Sequence, residues 1–168
     1  MELTIRKGTP DDTQAFLTLL HEVREGMSCP EWFYLDPDED VRVMMAGGKM
    51  HLIMAMDGDR LAGAFDWIAP GLDKFNYGHD LGLSEEQLMR CANMDSVAVR
   101  PEYRGQGLHR TLQAAAEQDA ISAGYNILLC TIHPDNVYSL RNALHLGYEI
   151  AAKLPKYGSV RYLLRKDV

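Results

Sequence analysis

The sequence predicts an α/β layered domain. Helix-like and strand-like hydrophobic periods alternate along all 168 residues. The near-continuous apolar run Ile127–Ile132 reads as a strand covered on both faces, as in a sheet with helices on either side. The length suits a single domain, 1–168, able to bury its own core. An apolar share of 46% beside a charged share of 24% fits a folded globular chain and excludes extended disorder.

Leu3 and Ile5 alternate with Thr4 and Arg6, predicting a short half-buried strand. Thr9-Pro10-Asp11-Asp12 is a helix start: a capping hydroxyl, a first-turn proline and two acids at the positive dipole end. Phe16, Leu19, Leu20 and Val23 then give that helix one apolar face. Asp36-Pro37-Asp38-Glu39 opens a second helix through Val41, Met44 and Met45, stopped at Gly47-Gly48. His51–Met56 and Leu61–Trp67 flank Asp57-Gly58-Asp59, a hairpin signal. An irregular stretch follows over 69–82, and Ser84-Glu85-Glu86-Gln87 caps a short helix. Met94–Val99 is a strand; Leu108, Leu112, Ala115, Ala116 and Ala120 form a helical stripe closed by Gly124. Asn136–Leu146 is a further helix, and Tyr148–Ala151 and Val160–Leu164 supply the last strands.

The formal charge of −7 argues against nucleic acid, whose phosphates need a concentrated basic face. It is mildly favourable for a cationic substrate. Cys29, Cys91 and Cys130 are odd in number and far apart, so a reducing, cytoplasmic setting is expected. The six histidines show no ligand spacing, so no metal is expected. No stretch approaches the ~20 apolar residues of a membrane span, and no signal peptide is read at the start.

Chemistry concentrates between the strand at Val99 and the helix at Leu108. Two glycines at a helix entrance leave N–H groups approachable, and the helix dipole adds positive potential, which together suit a pyrophosphate. A ligand-free strand-to-helix turn explains the glycines equally well on spacing alone. Within Val99-Arg100-Pro101-Glu102-Tyr103-Arg104-Gly105-Gln106-Gly107, however, the segment resembles the acyl-CoA-binding motif of the GNAT superfamily of N-acetyltransferases. That family's Gln/Arg-x-x-Gly-x-Gly/Ala pattern falls on Arg104, Gly107 and His109; the histidine departs from the usual small residue and is expected to point outward. Downstream, Asn136-Val137-Tyr138-Ser139-Leu140 and Leu146-Gly147-Tyr148 are similar to the family's Asn-led helix and Gly-Tyr strand entry.

The resemblance implies a three-layer domain whose mixed, mostly antiparallel sheet is splayed between the strands ending near Val99 and Ile132. It implies acetyl-CoA as co-substrate. Its contacts would be Val97, Ala98 and Val99 of the strand, Arg104, Gly105, Gln106, Gly107, Leu108, His109 and Arg110 of the turn, and Asn136 and Ser139. The acceptor would be a primary amine of a small molecule or peptide, attacking directly, with a backbone N–H of the strand stabilising the oxyanion. An amine with a pKa near 10.4 needs a base. Asp95 is the best-placed carboxylate, though an acid on a strand also serves structure. The family's usual acid, a tyrosine seven residues after the asparagine, is Ala143 here. Tyr138 and His133 are the substitutes, unless water suffices. Trp32, Tyr34 and Trp67 are the expected acceptor walls.

Cys130, between apolar neighbours, reads as core rather than as an acyl carrier. His109 and Ala143 keep a second reading open, a non-catalytic acyl-CoA sensor. A dinucleotide-binding fold is rejected, because its glycine fingerprint belongs after the first strand. The acceptor and any pairing into a homodimer stay open.

Overall fold

A computed structural model describes residues 2–168. The elements in chain order are β1 (Thr4–Lys7), α1 (Thr13–Glu25), α2 (Asp38–Ala46), β2 (Met50–Asp57), β3 (Arg60–Ile68), α3 (Glu85–Leu88), β4 (Cys91–Val99), α4 (Leu108–Ser122), β5 (Ile127–Ile132), α5 (Val137–His145), β6 (Glu149–Lys156) and β7 (Ser159–Asp167). The seven strands form one mixed, mostly antiparallel sheet in the order β1-β2-β3-β4-β5-β7-β6, in which β4 and β5 are parallel. Contacts divide the chain into two compact units. One comprises the residues through Trp67 with Ser96–Ala116, the other Ile68–Asp95 with Glu117–Val168. Among the described residues no helix is long and apolar enough to cross a membrane.

In the first unit, the predicted helix start is built by a capping box. The Thr9 N–H donates to Asp12 at 2.8 Å, while a 3₁₀ turn over Pro10–Asp12 leads into α1. Asp12 is also gripped by both terminal nitrogens of Arg6 at 2.9 Å. The Arg6 hydrogen bonds pull its carboxyl down to about 2, with the Thr9 N–H adding. The apolar face of α1 is buried at Phe16, Leu17, Leu19, Leu20 and Val23. Between β2 and β3, Gly58 takes φ +58 while Asp59 stays at negative φ, the pattern of a type II′ hairpin turn. One expectation changes: β1 is exposed along its whole length, because it is an edge strand paired only with β2.

The second unit is organised by the two faces of its strands. Alternation and register put Cys91, Asn93 and Asp95 of β4 on one face, beside Ile127, Leu129 and Thr131 of β5 and then Leu163 of β7. Tyr77, Cys91, Ile127, Leu129 and Leu163 make the apolar cluster there. The predicted irregular stretch contains a 3₁₀ turn, Tyr77–Leu81, held down by two buried asparagines. Asn76 accepts from the Gly78 N–H at 2.8 Å and donates to Gly71 O at 2.8 Å and Leu88 O at 3.0 Å. Asn93 donates to Phe75 O at 3.1 Å and accepts from the Tyr77 N–H at 3.4 Å. Such satisfied amides let polar residues lie in a core.

Strand β4 begins three residues before the predicted Met94, and β6 and β7 run on to Lys156 and Asp167. They are joined at Tyr157-Gly158, both with left-handed φ of 55° and 79°, the pattern of a type I′ turn.

Candidate active site

The glycine turn lies in the first unit. β4 ends at Val99, a 3₁₀ turn covers Pro101–Tyr103, and α4 starts at Leu108. Its flanks are pinned. Tyr103 Oη donates to Asp57 at 2.7 Å, Arg100 Nε to Leu61 O at 2.8 Å, and Arg104 Nε to Val99 O at 3.1 Å. Ion pairs join Arg60 to Glu102 and Arg100 to Glu22.

Between these anchors Gly105 and Gly107 adopt φ of +82° and +74°, and a Cβ at either would meet no heavy atom within 4 Å. Side-chain-free backbone thus borders open space where the first-turn N–H groups of α4 lack intrahelical acceptors. Those features fit a pyrophosphate. Val97 and Val99 are half-buried and Ala98 is buried, its carbonyl 3.0 Å from where a Gly63 Cβ would stand. Asp66, fully buried in β3, accepts the Ser96 N–H at 3.0 Å and so fixes the strand just ahead of Val97. Sequence reading passed over Asp66, although an acid inside an otherwise apolar strand was a visible signal.

His109 departs from expectation. It turns inward and is only 9% exposed. Burial first, and the Arg110 charge second, push its imidazole down from 6.5 to about 4, so it is neutral at physiological pH. An unfolded chain therefore binds a proton there that the folded chain refuses between those values. Stability from this group is complete above 6.5 and is lost as the pH falls toward 4, to a total of about 3 kcal/mol. Urea unfolding of wild type and His109→Leu at pH 7.5 and pH 4.5 checks it: the wild type should lose more by roughly that amount. Equal losses in the two proteins would contradict a neutral buried His109.

In the second unit the ladder between β4 and β5 covers three residue pairs, from Cys91↔Ile127 to Asn93↔Leu129. Asp95, half-buried, follows two residues later on the face that carries Thr131. Tyr77, 4% exposed, completes this corner, its hydroxyl 2.7 Å from that of Tyr157. Burial, and next the charge of Asp95, raise the Tyr77 phenol well above its ordinary value, so it stays protonated. Nothing in the pattern of 69–82 distinguished Tyr77 from the other loop aromatics.

His133 Nδ1 accepts the Asp135 N–H at 3.1 Å. Asn136 caps α5 by accepting the Ser139 N–H at 3.4 Å. Tyr138 is 61% exposed, whereas Ala143 on the same helix is buried. Burial, with Glu117 adding, raises the Cys130 thiol to about 12, which fits its reading as core. Of the expected acceptor walls, Tyr34 is exposed and Trp32 half-buried at a 3₁₀ turn. Trp67 is fully buried, its ring stacked on His51 at 4.0 Å, and serves the core instead. Among the described residues no group of three or more His, Cys, Asp or Glu is arranged to hold a metal ion.

A family model described as Acetyltransferase (GNAT) family matches residues 20–148, more than half of the chain. No curated protein matches the sequence. Solved structures share the fold at low identity. Salmonella typhimurium yncA, solved with its cofactor acetyl-CoA, is 16% identical with a TM-score of 0.75, over 99% of this chain and 94% of its own. The ribosomal-protein-alanine N-acetyltransferase of Brucella melitensis is 20% identical with a TM-score of 0.73, over 98% and 99%. The phosphinothricin acetyltransferase of Sinorhizobium meliloti, in complex with acetyl-CoA, is 16% identical with a TM-score of 0.73, over 100% and 89%.

Proposed function

Because the chain belongs to the GNAT family of acetyltransferases, we propose that it moves an acetyl group from acetyl-CoA to a primary amine of a small molecule or peptide. Acting as one domain over 1–168, it would bring amine and thioester together for direct attack. The observation that carries this reading is the pinned glycine turn, where Gly105 and Gly107 border open space at the entrance to α4. Its backbone from Arg104 to Arg110 holds the pyrophosphate, and His109 contributes its main chain while its ring packs inward. Val97, Ala98 and Val99 offer main-chain groups to the pantetheine arm. Asn136 and Ser139 are assigned contacts with the same arm.

Bound acetyl-CoA supplies an activated acyl carbon. The amine nitrogen bonds to that carbon, the carbon–sulfur bond breaks and coenzyme A leaves as a thiolate. Asp95 takes the proton the amine gives up, directly or through water. Tyr138 and His133 are the groups proposed to return a proton to the thiolate, and water is the third source. Three free cysteines support a reducing, cytoplasmic setting.

The test is a titration with acetyl-CoA, followed by free-thiol release across amino acids, polyamines, aminoglycosides and short peptides. Binding together with amine-dependent release is the expected result. Tight binding with no release from any amine would replace catalysis by acyl-CoA sensing, a role favoured by the buried Ala143 at the usual acid position. No binding would end both readings.

A further inference from the structure

Strand β3 is buried from Leu61 to Ile68, and Asp66 is the one acid within it. A carboxyl group taken wholly out of water is costly, so its place inside a strand calls for a specific partner. That partner lies on β4, the neighbouring strand. Asp66 Oδ1 accepts the Ser96 N–H at 3.0 Å, and both residues are buried.

Four residues further on, the Arg100 N–H donates to Ala62 O of β3 at 2.9 Å. Between these two bonds the main chain of β4 alternates, since successive residues of a strand turn their N–H and C=O groups to opposite sides. Ser96 and Arg100 face β3. Ala98 does as well, its carbonyl 3.0 Å from where a Gly63 Cβ would stand. Val97 and Val99 therefore face the other way, and Val99 O accepts Arg104 Nε at 3.1 Å instead of closing on β3. That is the side on which the ladder from β4 to β5 has already ended, at Asn93. The anchor at Ser96 is a side chain, so one substitution can remove it without touching the backbone of β3. With Ser96 held, the Val97 N–H is committed to the side away from β3; with Ser96 released, the peptide before Val97 can turn.

We propose that Asp66 is a positioning residue for the acyl end of the cofactor: by holding Ser96 it presents the main chain of Val97 and Val99 to the pantetheine arm and thioester. This rests on the acetyltransferase reading above and assigns the residue that preorganises its β4 contacts. Asp66 touches neither the amine nor the cofactor and acts only through β4.

The test separates the two ends of acetyl-CoA. Its 3′-phospho-ADP portion needs only the glycine turn, whereas the whole cofactor also needs β4. Asp66→Leu should weaken acetyl-CoA binding by roughly 10-fold or more, the scale of a buried hydrogen bond left unmade, and keep 3′-phospho-ADP affinity within about twofold. Asp66→Asn retains a carbonyl oxygen for Ser96 and should bind acetyl-CoA within about threefold of the wild type. Equal loss for both probes would make Asp66 a fold residue and overturn the proposal. Wild-type acetyl-CoA affinity in Asp66→Leu would also overturn it, and would leave the transferase reading standing. If the wild type binds no acetyl-CoA, both fall.

A measurement on the wild type alone holds whether or not the leucine variant folds. In amide hydrogen exchange the Ser96 N–H should be protected in the free protein. The Val97 N–H should gain protection of roughly 10-fold or more only when acetyl-CoA is added. A Val97 N–H already as protected as that of Ser96 without cofactor, or unmoved by acetyl-CoA, overturns the assignment.

Discussion

Asp95→Asn should lower turnover by roughly 10²–10⁴-fold while leaving acetyl-CoA affinity within about twofold, the range that a positioned base contributes. The substitution preserves shape and removes charge, so packing around the half-buried side chain is kept. Near neutral pH an amine of pKa near 10.4 is almost wholly protonated, and its lone pair becomes available only when a proton has somewhere to go. The charge of Asp95 helps hold the Tyr77 phenol protonated, and Asp95 stands two residues before Val97, the first strand residue proposed to meet the pantetheine arm. The check is the pH profile of kcat/KM. Both proteins should rise with pH as the amine loses its proton, with Asp95→Asn lying below the wild type throughout. Unchanged turnover would assign Asp95 to holding Tyr77, with water taking the amine proton.

What the sequence revealed and what it concealed divide along physical lines. Local signals were legible. The Thr9–Asp12 box, the glycine stops at Gly47 and Gly124, and the run Ile127–Ile132 each depend on neighbours within a few residues, and β5 has the predicted bounds. Signals that depend on distant partners were not. Asn93 discourages a strand by propensity, yet its amide is satisfied from Phe75 and Tyr77, so β4 starts at Cys91. A register shift between Ile150 and Ala152 breaks the two-residue alternation, which is why β6 seemed to end at Ala151.

The site shows the same division. The glycine turn is a contiguous motif and could be read directly. Tyr77 and Tyr157 are 80 residues apart in sequence, and their hydroxyls meet only in the fold. His109 was expected outside because the family pattern prefers a small residue. Its ring instead goes inward and gives up its charge, a choice set by tertiary packing.

The glycine turn carries the other large expected effect. Gly107→Trp should weaken acetyl-CoA binding by more than about 100-fold, near the loss of several charge-assisted hydrogen bonds. At φ +74° any L side chain is strained, which alone costs about 1–2 kcal/mol of stability. No heavy atom lies within 4 Å of the new Cβ, so the indole can enter the space at the helix entrance without displacing the protein's own atoms. The fold should therefore survive with a melting temperature lower by a few degrees. Strain and blockage are separated by Gly124→Ala, which sits at φ +99° with equally open surroundings past the end of α4. It should lose comparable stability and keep full cofactor affinity. Calorimetric titration of both variants decides between the causes. Wild-type affinity in Gly107→Trp would remove the turn from the cofactor site. Equal loss in both variants would trace the effect to strain transmitted through α4 rather than to the space above Gly107.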